Sequence, residues 1–222
     1  MKRTIKYFGT EEELRELLDT EVPFLEEYEL TNRFLDNKLV FDASDEDYYE
    51  ICEKLGENLY SEEDTSLEEV LVEFLKSNNL VLATAESCTG GLIASKIVNV
   101  PGVSKVFWEG LVTYTNEAKV ERLQVKRDTL AQFGAVSKET AEEMATNLIS
   151  PNIDIGISTT GIAGPDGGSI EKPVGLVYIG VAYREEEIKV ERCMFSGDRE
   201  EIRNCAANYA IYQAYKLLFN RL

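Results

Sequence analysis

Along the chain, short apolar runs alternate with stretches in which apolar residues recur every three or four positions. Thr4 to Phe8 reads as a short strand. Gly9-Thr10 then opens a helix in which Thr10-Glu11-Glu12-Glu13 matches a capping box and Leu14, Leu17 and Leu18 make the apolar stripe. Tyr28 to Leu35 and Lys38 to Ala43 read as a hairpin turning at Asp36-Asn37, and Asp45 to Leu59 as a helix with Tyr49, Cys52 and Leu55 inward. This β-α-β-β-α order predicts a small two-layer α+β module over residues 1–61. The acidic string Glu62-Glu63-Asp64 reads as a solvated connector.

The pattern then changes. Ser66-Leu67-Glu68-Glu69 is a second capping box, and Leu67, Val70, Leu71, Phe74 and Leu75 follow the spacing of one helical face. Leu80 to Thr84 is a continuous apolar run, as expected of a central strand buried on both faces. An apolar helix (Leu92 to Val98), a strand (Val106 to Tyr114), three helices (Asn116 to Leu123, Asp128 to Gln132, Ser137 to Ile149) and a strand (Ile153 to Thr159) follow. Gly175 to Tyr183 and Ile188 to Phe195 form a hairpin about Arg184 to Glu187, and Arg199 to Leu222 is a closing helix. Strands alternating with helices and ending in a hairpin predict a three-layer α/β/α domain with a mixed sheet over residues 66–222.

Composition narrows the chemistry. The 222 residues include no histidine, which excludes a Ser-His-Asp triad, a Cys-His dyad and an HExxH zinc helix and leaves proton transfer to Lys, Tyr, Asp, Glu or Cys. The formal charge is −18, and the first 80 residues hold 23 acidic against 8 basic groups. Such a face repels phosphate backbones, so no nucleic-acid partner is expected. No apolar run reaches the ~20 residues of a membrane span and no signal core follows Met1, which predicts a cytoplasmic protein without membrane attachment. Cys52, Cys88, Cys193 and Cys205 form no CxxC pair and are read as reduced thiols.

Four segments depart from plain core. Ala85 to Gly91 (AESCTGG) joins a buried strand to a helix, where small residues leave N–H groups facing an anion and Ser87 is a helix cap or a nucleophile. Val112 to Lys119 (VTYTNEAK) sets Tyr114 at a strand end and Lys119 in a helical first turn; Lys119 is a surface lysine, or a base whose pKa the helix terminus depresses. Thr159 to Gly168 carries four glycines in the eight residues from Gly161 and reads as a ligand-lining loop. Phe195 to Arg199 (FSGDR) caps the last helix and offers Arg199 to an anion, or to a salt bridge with Asp198 or Glu86. Together they permit lysine-assisted serine acyl transfer.

AESCTGG, VTYTNEAK, GAVS (Gly134 to Ser137), TGIAGPDGG (Thr160 to Gly168), EKPVG (Glu171 to Gly175) and FSGDR, in that order, resemble the CinA C-terminal domain family, whose enzymes are nicotinamide-nucleotide amidohydrolases. The N-terminal module is similar to the linker domain of CinA proteins. The molybdopterin-binding-like domain that precedes that linker in the family, and any pyrophosphatase activity associated with it, are expected to be missing. The resemblance implies hydrolysis of nicotinamide mononucleotide (NMN) to nicotinate mononucleotide and ammonia, in pyridine-nucleotide salvage, with Ser87 as nucleophile and Tyr114 and Lys119 beside it. On that reading Lys119 takes the serine proton directly or through Tyr114, and N–H groups of Thr89, Gly90 and Gly91 hold the oxyanion. Thr160, Gly161, Gly164 and Arg199 are expected to bind substrate. No metal and no cofactor is required, and a homodimer fits the family. Cys88 is a rival nucleophile, disfavoured because its side chain should point away from that of Ser87. A different small amide as substrate, or a non-catalytic binding role linked to competence and DNA damage, are the alternatives.

Overall fold

The computed structural model describes residues 1–184 and 186–221; the expected hairpin turn about Arg184 to Glu187 includes Glu185, and the expected closing helix ends at Leu222, both outside the described residues. The chain divides into two compact units, Met1–Val70 and Leu71–Leu222.

In the first unit β1 (Lys2–Phe8), β2 (Tyr28–Arg33), β3 (Asp36–Asp42) and β4 (Leu59–Ser61) form an antiparallel sheet in the order β2-β3-β1-β4, with α1 (Glu11–Glu21) and α2 (Asp45–Leu55) packed on it. Thr10 caps α1 through the expected capping box: its Oγ1 accepts the Glu13 N–H at 3.1 Å and its N–H donates to Glu13 at 2.8 Å. Three expectations are corrected. The hairpin turns at Phe34-Leu35, both at positive φ (55° and 71°), not at Asp36-Asn37. Asp36 and Asn37 belong to the strand because their side chains serve the fold. Asp36 receives Lys6 Nζ at 2.9 Å and the Tyr60 hydroxyl at 2.5 Å, and the buried Asn37 amide donates to Gly9 O at 2.7 Å. In α2 the inward face is Tyr48, Ile51 and Leu55, while Tyr49 is 71% exposed. That helix stops at Leu55, where Gly56 takes φ 61°, which frees Leu59 for the additional strand β4.

The helix α3 (Leu67–Asn78) is opened by the Ser66–Glu69 capping box. In the second unit β5 (Leu82–Glu86), β6 (Phe107–Val112), β7 (Ile155–Gly161), β8 (Leu176–Tyr183) and β9 (Glu187–Met194) form a mixed sheet ordered β6-β5-β7-β8-β9. The strand β5 is parallel to both neighbours and buried at all five positions; it lies two residues later than the expected run Leu80 to Thr84, so Ala85 and the buried Glu86 belong to the strand and not to the turn. On one face lie α5 (Asn116–Leu123), α6 (Arg127–Phe133) and α7 (Lys138–Thr146), against Ala83 and Ala85. There α7 sits so close that a Cβ on Gly156 would stand 2.2 Å from Ala145 O. On the other are α4 (Leu92–Val98), packed on β5 and β6, and α8 (Arg199–Phe219), packed on β7 and β8, the two helices also packing on each other. This is the three-layer α/β/α arrangement.

Strand direction then positions the site. Glu86 pairs with Val112 and with Thr159, so the segments following β5, β6 and β7 leave the sheet at one edge. At the same edge β8 begins and β9 ends, because Leu176 pairs with Met194. Gly175, at φ 95°, lies so near Phe195 O (2.1 Å for an added Cβ) that only glycine joins EKPVG to FSGDR there.

Candidate active site

Ser87 leaves β5 still tied to the sheet, its N–H donating to Thr159 O at 2.9 Å. The next turn is shaped by Gly90 and Gly91 at φ 60° and 93°, a left-handed pair that a side chain would strain. Thr115 caps α5 through its hydroxyl, which accepts the Ala118 N–H at 3.1 Å, and this places Lys119 on the helical face turned inward. Lys119 is 0% exposed. Its Nζ donates to Ser87 Oγ at 3.1 Å, to Thr113 O at 2.8 Å and to Tyr114 O at 3.3 Å. Among the described residues no carboxylate pairs with it. Burial therefore pushes its pKa down to about 8, and the terminus of α5 is not the main cause. A neutral amine against a serine hydroxyl can accept that proton.

A pocket of about 200 Å³ opens onto this pair, lined by Cys88, Tyr114, Ala135, Val136, Thr160 and Arg199 among others. Cys88 thus faces the same pocket as Ser87, contrary to the sequence expectation. Burial pushes its thiol up to about 12, and the protonated form is a poor nucleophile. The Tyr114 ring is 59% exposed, and its hydroxyl accepts from Arg199 Nη2 at 3.3 Å, while only its backbone carbonyl meets Lys119. The Ser87–Lys119 hydrogen bond is direct, with the phenol outside it.

The remaining expected site residues are divided between roles. Thr160 and Gly161 line the pocket, and the Thr160 hydroxyl donates to Ala135 O at 2.7 Å, holding the Gly134 to Ser137 segment as a wall. Gly164 lines a larger adjoining cleft of about 810 Å³ that shares Ala163 and Arg199 with the pocket. Arg199 Nη1 donates to Gly164 O at 2.6 Å; among the described residues it forms no salt bridge with Asp198 or Glu86. Asp198 instead caps α8, accepting the Glu200 and Glu201 N–H groups at 2.8 and 2.9 Å. The expected anion site at the start of α4 is already filled. The buried Glu86 carboxylate accepts from the N–H groups of Gly91 (2.9 Å), Ile93 (3.1 Å) and Ala94 (2.9 Å) and from the Thr89 hydroxyl (2.7 Å). The Gly91 N–H is therefore not free for an oxyanion.

Sequence reasoning did not single out Arg203, whose Nε donates to Cys88 O at 3.1 Å and Nη2 to Thr89 O at 2.8 Å. Its position one helical turn beyond Arg199 was the available signal. Among the described residues no group of His, Cys, Asp or Glu is arranged to hold a metal, and no helix is long and apolar enough to cross a membrane.

Comparison with known proteins agrees with this arrangement. A CinA-like protein of Kosmotoga olearia is 58% identical over 163 residues, covering 73% of this chain and 39% of the relative. A competence-damage inducible protein of Clostridium acetobutylicum is 43% identical over 213 residues, 91% of this chain and 52% of the relative. The chain thus spans about half or less of the length of these curated relatives. Among solved structures, the competence/damage inducible protein CihA of Agrobacterium tumefaciens has 40% identity and a TM-score of 0.65, covering 66% of this chain and 90% of its own. A CinA superfamily protein of Escherichia coli has 35% identity and the same TM-score, with coverages of 68% and 88%. The model of the CinA C-terminal domain matches residues 64–218, and the chain belongs to that family.

Proposed function

We propose that the second unit hydrolyses the carboxamide of NMN to nicotinate mononucleotide and ammonia by serine acyl transfer. The observation that carries the reading is the buried Lys119 amine 3.1 Å from Ser87 Oγ. Neutral Lys119 takes the hydroxyl proton as Ser87 Oγ bonds to the amide carbon, then returns it to nitrogen as the C–N bond breaks and ammonia leaves. Water attacks the resulting ester with Lys119 again accepting a proton, and the proton returns to Ser87 Oγ as the carboxylate departs. On this reading the planar ring occupies the 200 Å³ pocket, whose lining includes Tyr114, Ala135 and Val136. The ribosyl phosphate extends toward Arg199, whose guanidinium is bonded to a carbonyl and a phenol, and so retains its charge for an anion.

Ammonia release from NMN tests this. Ser87→Ala should lose turnover by about 10⁴-fold or more, whereas Cys88→Ala should stay within a few-fold of the parent protein. Full activity of the Ser87 variant would sink the mechanism, and no ammonia from the parent protein would sink the reaction. The pH profile carries a second prediction. Only the neutral amine is a base, so kcat/KM should rise with pH through a limb centred near 8, and about a tenth of the enzyme is competent at pH 7. A limb below pH 6.5, or none, would contradict Lys119 as the base.

A further inference from the structure

The turn that carries Ser87 is clamped from two sides, and the clamps do different things. Glu86 gathers N–H groups of Gly91, Ile93 and Ala94 on the α4 side. From the first turns of α8, Arg203 takes two successive carbonyls along one edge of its guanidinium, Cys88 O through Nε and Thr89 O through Nη2. A trans peptide holds its C=O and N–H on opposite sides, so fixing the Cys88 carbonyl toward α8 fixes the Thr89 N–H away from it. Away from α8 lies the face of the sheet that carries α5, from which Lys119 Nζ reaches Ser87 Oγ at 3.1 Å. The orientation is not guaranteed by the chain itself. The left-handed glycines at 90 and 91 make more than one backbone path accessible to this turn, and a Cβ on Gly90 would stand 3.2 Å from Arg203 Nη2.

On the acyl-transfer reading above, we infer that Arg203 is a positioning residue that preorganises the Thr89 N–H as an oxyanion donor by holding the carbonyls of Cys88 and Thr89. A rotated Cys88–Thr89 peptide removes the donor and turns a carbonyl oxygen toward the developing negative charge. Arg203 is not among the residues lining the pocket around Ser87 and Lys119, so its loss should act on the transition state and spare ground-state binding.

Arg203→Ala should lower kcat on NMN by about 10²- to 10³-fold while KM changes by no more than about threefold. Guanidinium chloride at sub-denaturing concentration should restore part of kcat. Arg203→Lys, which can reach one carbonyl but not both, should fall between. Thermal unfolding of each variant separates these effects from loss of the fold. A fluorophosphonate probe supplies a readout independent of the natural substrate: Ser87 Oγ forms the P–O bond, fluoride leaves, and the proton passes to Lys119. Its rate of labelling, followed by intact mass, should fall in Arg203→Ala and recover with guanidinium. A rise in KM with kcat unchanged would make Arg203 a substrate-binding group and overturn the inference. Unchanged kinetics and labelling in a folded Arg203→Ala protein would overturn it too, as would failure of the parent protein to be labelled. Labelling that depends on Arg203 in a protein inert toward NMN would retain this role and discard only the substrate.

Discussion

Lys119→Met should abolish turnover and yet raise the stability of the fold. The loss should match that of Ser87→Ala, about 10⁴-fold or more, and the double variant should be no worse than either single one, because base and nucleophile act as a unit. Stability moves the other way through linkage. The unfolded chain holds the lysine proton up to the ordinary value of 10.5, and the native chain only up to about 8. Between those values the unfolded state binds more protons, so native stability rises with pH across the window, by about 3 kcal/mol if the shift is fully expressed. Below pH 8 the buried amine carries its whole penalty. Methionine fills similar volume without it, though the Thr113 carbonyl loses its donor at 2.8 Å. The variant should therefore gain about 1–3 kcal/mol at pH 7, an advantage that shrinks above pH 8 and vanishes near pH 10.5. Urea midpoints at pH 7 and pH 10 check this, and a variant less stable than the parent at pH 7 would refute it.

Glu86→Ala should be the most damaging single change in the second unit. The carboxylate collects three backbone N–H groups and the hydroxyls of Thr84 and Thr89 in a fully enclosed position. Removing it strands those donors without solvent to replace the bonds, at a cost of about 3–5 kcal/mol. Glu86→Gln preserves shape but puts an NH₂ where donors converge, and should cost about half as much. Chemical denaturation measures both, and a Glu86→Ala protein within about 0.5 kcal/mol of the parent would show that the turn is held otherwise. Turnover should fall with stability because the same turn carries Ser87.

Local features were the legible part of the sequence. The capping boxes at Thr10 and Ser66 are encoded by residues three apart and appear as read, as does the apolar face of α1, while the buried strand expected at 80–84 lies two residues later, at 82–86. The order of strands and helices sufficed for the three-layer domain. What was not legible depends on distant neighbours. Nothing around Lys119 says that Ser87, 32 positions earlier, will meet its amine in a dry interior, so burial replaced the helix terminus as the cause of its low pKa. Glu86 reads as one more acid at a strand end until the start of α4 closes over it. The Phe34-Leu35 turn defied turn chemistry because Asp36 and Asn37, the better turn formers, were claimed by Lys6, Tyr60 and Gly9. In α2 the aromatic pair Tyr48-Tyr49 offered two registers, and the packing of Tyr48 with Ile51 and Leu55 selected one.

The pocket draws Ser87, Lys119, Val136, Thr160 and Arg199 from five chain segments that meet only at one edge of the sheet. No stretch of the unfolded chain reproduces it, so a molecule that occupies the pocket binds the native state alone. Occupancy then draws the folding equilibrium toward that state by mass action, by about 2.7 kcal/mol at a hundred times the dissociation constant. In a protein disarmed at Ser87, the melting temperature becomes a measure of substrate affinity with chemistry removed.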